Sequence, residues 1–127
     1  VRVGVRDHLK GRPREVVALY RALARLIRGF GPGVVNVSSK TRTGWMARVR
    51  FAGVRFRKDD VVLSFWLKRE VLSPRLRSQH LGRNDWVYSL PIRSVGDLDG
   101  ELEGWLREAY LVGRQEWEPR GEVRAGD

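Results

Sequence analysis

Cysteine is absent from this 127-residue chain, and histidine occurs only twice, as His8 and His80. The first absence excludes disulfides, thiolate nucleophiles and Cys-ligated zinc. The second argues against a multi-histidine metal site within one chain, so neither a metal nor a cofactor is expected. No apolar run approaches the roughly 18 residues that a membrane span needs. No charged and apolar leader with a small-residue cleavage site opens the chain. Both absences predict a cytoplasmic protein. Lysine is scarce too, supplying four of the 25 basic residues. Arginine dominance of this kind fits a high-GC genome or a warm habitat. Arginine is also the side chain suited to planar, bidentate contact with phosphate.

The charge that is present is unevenly spread. The net charge is +10, yet residues 1–58 carry +13 and residues 59–127 carry −3. A genome-wide bias gives no reason to favour one half, so the asymmetry carries more meaning than the total. Its centre is KTRTGWMARVRFAGVRFRKDD, Lys40 to Asp60, where seven basic residues precede the first acid, Asp59.

A chain of this length is one domain with a modest core, placed at residues 8–113. Residues 1–7 read as an N-terminal arm or short strand, and residues 114–127 as a disordered tail without periodicity. Pro13 suits the first position of a helix, after which Val16, Leu19, Tyr20, Leu23, Leu26, Ile27 and Phe30 recur at helical spacing. Arg14, Arg21, Arg25 and Arg28 occupy another face, and Gly29 to Gly33 stop the helix. Val34–Val37 reads as a short strand. Period-two alternation then runs through 45–51, 54–57 and 61–68, with Ala52-Gly53 and Lys58-Asp59-Asp60 read as turns. Residues 70–85 read as a long loop. Trp86 to Ile92 is the last strand, and Pro91 marks it as an edge. A second helix is expected from Ser94, with Asp97 completing a capping box and Leu98, Leu102, Trp105, Leu106, Ala109 and Tyr110 as its apolar stripe. The order predicts an α+β domain: an antiparallel β-meander of about four to five strands, with an N-terminal and a C-terminal helix on one face.

This alternation assigns Trp45, Ala47, Val49, Phe51, Val54, Phe56, Leu63, Phe65 and Leu67 to the core. The opposite face then carries Arg48, Arg50, Arg55, Arg57, Ser64, Trp66 and Lys68. Like charges on adjacent strands cost a few tenths of a kcal/mol per pair, so such a row suggests a counter-charge from outside. Arginines around one aromatic side chain fit phosphate contact with base stacking. The candidate nucleic-acid or anion-binding residues are therefore Lys40, Arg42, Arg48, Arg50, Arg55, Arg57, Trp66 and Lys68, with Arg21 and Arg25 on the first helix. A solvated arginine face, or one met by an acidic protein surface, is the competing reading. A second candidate is Ser38-Ser39-Lys40-Thr41, hydroxyls beside an ammonium, as a protein-interaction or small anionic-ligand loop; it lacks the glycine spacing of a P-loop. Capping and solubility account for Asp97, Asp99, Glu101, Glu103 and Glu108 without a metal. No nucleophile and base stand at a readable spacing, so no catalytic residue is assigned and the reading is non-enzymatic.

The segments HLKGRPREVVALYRAL, SSKTRTGW, RVRFAGVRFRKDDVVLSFWL and SVGDLDGELEGWLREAY, in that order, resemble the domain-of-unknown-function 5655 family. Its members are small bacterial and archaeal domains sometimes labelled predicted transport proteins. The resemblance covers roughly residues 8–112. It implies an α+β fold similar to the YdhG-like domains, themselves likened to frataxin-type iron chaperones, and it implies no settled activity. The family's Lys-Thr pair corresponds to Lys40 and Thr41, and no role comes with it.

Overall fold

The computed structural model describes residues 4–117. The expected arm from residue 1 to 3, and the expected tail from residue 118 onward, lie outside them. Two helices come first, α1 (Val5–Leu9) and α2 (Arg14–Arg28). Six strands follow: β1 (Val35–Ser38), β2 (Thr43–Met46), β3 (Arg50–Phe56), β4 (Val61–Leu67), β5 (Arg77–Gly82) and β6 (Asp85–Ile92). A 3-10 turn (Val95–Asp97) leads to α3 (Gly100–Gly113). The fold is α+β, with all strands antiparallel in the order β1-β2-β3-β4-β6-β5.

The helices cover one face of the sheet. Tyr20 of α2 stacks on Trp45 and leans against Phe56, and Trp105 of α3 stacks on Phe65 at 6.2 Å. Val54, Val61, Leu63, Phe65, Leu67, Tyr88, Leu90 and Ile92 complete this buried layer. Strict alternation in β4 puts Val61, Leu63, Phe65 and Leu67 in the core, and Val62, Ser64 and Trp66 on the other face. No helix among the described residues is long and apolar enough to cross a membrane.

Several boundaries differ from the sequence reading. Part of the expected arm is helical, and buried His8 of α1 donates from Nε2 to the Ser39 carbonyl at 2.6 Å. Ala52-Gly53 is not a turn but the middle of β3; the chain reverses at 47–49 instead. A bulge where β2 meets β3 lets Trp45 face Ala52 while Met46 faces Arg50. The inserted residue, Phe51, is fully buried, and Val49, expected in the core, is exposed on the turn. Gly44 is required here, because a Cβ on it would sit 2.6 Å from the Ala52 carbonyl oxygen.

The presumed loop at 70–85 contains β5, whose residues are all exposed. As a polar edge strand it is held by its backbone ladder to β6, with no apolar face to announce it. Consequently β6 is not an edge. Pro91 is tolerated because β5 reaches only as far as Ser89, leaving no ladder partner opposite the proline on that side. The Ser94–Asp97 cap closes only the 3-10 turn, with the Asp97 carboxylate accepting from the amides of Arg93 and Ser94. Helix α3 has its own cap, Asp99, which accepts from the Leu102 amide at 3.0 Å.

The β3–β4 turn carries an ion pair with a consequence for acid stability. Arg57 makes two 2.6 Å hydrogen bonds to the Asp60 carboxylate, and Arg93 Nε lies 3.7 Å from it. The Arg57 bonds foremost, then the two guanidinium charges, hold the Asp60 carboxyl below the usual carboxylate range despite its burial. A carboxylate with a depressed folded pKa stabilises the protein above its unfolded pKa of about 3.9, and that contribution is lost as pH falls through the folded value. Thermal melts should therefore show a loss of Tm below about pH 4 that is shallower in Asp60→Asn, whose Tm at neutral pH is already lower. An equally steep acid limb in the variant would assign the acid sensitivity to other carboxylates.

Candidate functional site

The uncovered face of the sheet is grooved because of a register coincidence. Gly44 pairs with Gly53, Gly53 with Ser64, Ser64 with Ser89, and Ser89 with Arg77. Four small residues thus form one row across the sheet, ending at an arginine on β5. The row spans four interstrand spacings, about 19 Å. One flanking row is Arg55-Val62-Pro91 and the other includes Trp66-Val87-Gln79. Gly44 and Gly53 are buried even though no helix covers this face, since larger neighbours rise around them.

Two hollows occupy the groove. The first, about 350 Å³, is lined by Arg42, Arg50, Arg55, Trp66, Val62 and the small floor residues. The second, about 420 Å³, is lined by Arg55, Arg57, Arg75, Arg77 and Arg93 with Pro74 and Pro91 among others. They are contiguous, sharing Arg55, Val62 and Ser89. Seven arginines therefore border one continuous depression.

Their electrostatic states differ. Arg57 and Arg93 share Asp60. Arg75 is held by Asp99 and Glu101 and donates to the Asp97 carbonyl at 2.7 Å. Arg42, Arg50, Arg55 and Arg77 take part in none of the ion pairs among the described residues. Two further acids of α3 are engaged elsewhere: Glu108 with Arg69 and Trp117, Glu103 with Arg107. Among the described residues, the first hollow thus holds three guanidinium groups without a carboxylate partner, beside an indole, over a floor of glycine and serine.

The residues expected from sequence divide accordingly. Arg42, Arg50, Arg55 and Trp66 come together in the first hollow, and Arg57 lies in the second. Arg48, expected on the same face, sits on the β2–β3 turn and lines neither hollow; its amide donates to the Gly113 carbonyl at the end of α3. Lys68 lies beyond the end of β4, paired with Asp85, and borders a separate hollow with Val49, Asn84, Val112, Gln115 and Trp117. Lys40 is exposed at the tip of the β1–β2 turn. Arg21 and Arg25 are exposed on α2, across the sheet from the groove. In the Ser38–Thr41 loop, Ser38 shares a 2.7 Å hydrogen bond with Thr43, and the Ser39 amide donates to the Arg42 carbonyl at 2.8 Å. These four residues line neither hollow of the groove.

The sequence reading missed Arg75, Arg77 and Arg93. They are distant from the basic cluster in the chain, and β5 and β6 fold them back beside it. It also missed the floor, because a run of small residues across four strands is visible only once the register is known.

The family model described as Domain of unknown function (DUF5655) matches residues 5–113. No curated protein and no solved structure matches the chain.

Proposed function

Because the chain belongs to this family, whose description assigns no activity, we propose from its own geometry that it is a cytoplasmic nucleic-acid-binding domain. The outer groove of the sheet is its interface. The observation carrying this reading is the continuity of the two hollows, with Arg42, Arg50, Arg55 and Arg77 outside every ion pair among the described residues. Guanidinium groups spaced along a groove of about 19 Å suit several phosphates of one polymer better than a single small anion. Phosphate contacts of this kind supply affinity and register, and they release counterions on binding. Trp66 adds a surface on which a base can stack. Arg21 and Arg25, on the far side of the sheet, have no part in this interface.

The test is a titration of labelled single-stranded and duplex oligonucleotides across a salt series, with wild type and an Arg21→Ala, Arg25→Ala double variant. Wild type should bind at low salt and lose affinity steeply as salt rises, and the double variant should keep the same salt slope. Absence of binding at low salt would overturn the reading and favour an acidic protein partner. A slope flattened by the helix substitutions would move the interface to α2.

A further inference from the structure

We infer that the groove takes single-stranded rather than duplex nucleic acid, with one nucleobase seated in the first hollow against Trp66; this rests on the reading just proposed. The shape of the site is the first reason. Bases in a duplex are read by an element that projects into a groove, such as a helix or a two-stranded ribbon. Here the protein surface is recessed, so a duplex would ride on the arginine rims and leave Trp66 and the floor unengaged. An unpaired base has a free π face and free edges, and it can enter.

The composition of the hollow is the second reason. Trp66 is half-buried in its wall, and the floor below is Gly44, Gly53, Ser64 and Ser89. Glycine on β2 and β3 removes the side chains that would otherwise fill the space a planar ring needs. On β4 and β6 the floor is serine, whose hydroxyls can donate to or accept from a base edge or a sugar hydroxyl. A site for isolated phosphates needs neither the indole nor the recess. The backbone of the strand then leaves the first hollow past Arg55, which borders both hollows, toward Arg77 in the second.

The experiment compares Trp66→Ala, Trp66→Phe and Ser64→Leu with wild type, against single-stranded and duplex oligonucleotides of one sequence. Thermal melts establish that each variant is folded. Wild type should prefer the single strand. Trp66→Ala should weaken single-strand binding by about five- to a hundredfold at an unchanged salt slope, since stacking adds affinity without releasing counterions. Trp66→Phe should recover most of that loss. Ser64→Leu points into the groove, away from the core, and should block the base without removing a charge. It should lower single-strand affinity and leave duplex affinity as it was. Equal binding of both forms by wild type, with Trp66→Ala and Ser64→Leu silent, would overturn this inference while leaving the groove as a phosphate-binding surface. No binding of either form would overturn both.

Discussion

Replacing Trp105 by alanine should lower the unfolding free energy by about 3–5 kcal/mol, the range for deleting a large buried aromatic side chain. Trp105 is 8% exposed, on the face of α3 that packs against the sheet. Its ring stacks on Phe65, which stacks in turn on Tyr88, while the Arg75 guanidinium lies 5.9 Å from the indole centroid. Truncation would therefore open a cavity between helix and sheet and remove a cation–π partner from an arginine that borders the groove. The surrounding layer cannot collapse easily, because Leu102, Leu106, Phe65 and Tyr88 are each fixed in register by their own helix or strand. Denaturant unfolding followed by circular dichroism measures the loss directly. A midpoint close to that of wild type would mean that α3 is not the principal cover of the sheet.

The parts of this fold legible in the sequence are those whose burial is one-sided and regular. Helix α2 is announced by apolar residues three and four apart, and β4 by strict alternation, because each packs one face against the core. The β2–β3 hairpin misleads for a physical reason. Apolar residues alternate from Trp45 to Phe51 straight through the reversal at 47–49, and the bulge then shifts the phase by one residue. Ala52 and Gly53 look like a turn because they are small. In the fold Ala52 is small under the helices, and Gly53 is small on the groove floor. The site was half legible. Alternation found Arg50, Arg55 and Trp66, whereas the pairing of Lys68 with Asp85, 17 residues away, depends on the β4–β6 register. The arginines of β5 and its approach were invisible because an exposed edge strand has no hydrophobic pattern to place it.

The groove arginines without a carboxylate partner among the described residues provide the most direct test of the groove as a nucleic-acid interface. Substituting Arg42, Arg50 and Arg55 together by alanine should leave the fold intact, since none of the ion pairs among the described residues uses them. Binding should respond differently. Each phosphate contact contributes about 0.7 to the slope of log affinity against log salt for a single strand, so three lost contacts should flatten it by about two. The decisive measurement is that slope, taken for wild type and the triple variant on the same single-stranded oligonucleotide. A slope lower by about two, with an unchanged melting temperature, is the result this account predicts. An unchanged slope in a folded triple variant would contradict it and place the phosphates on another face of the protein.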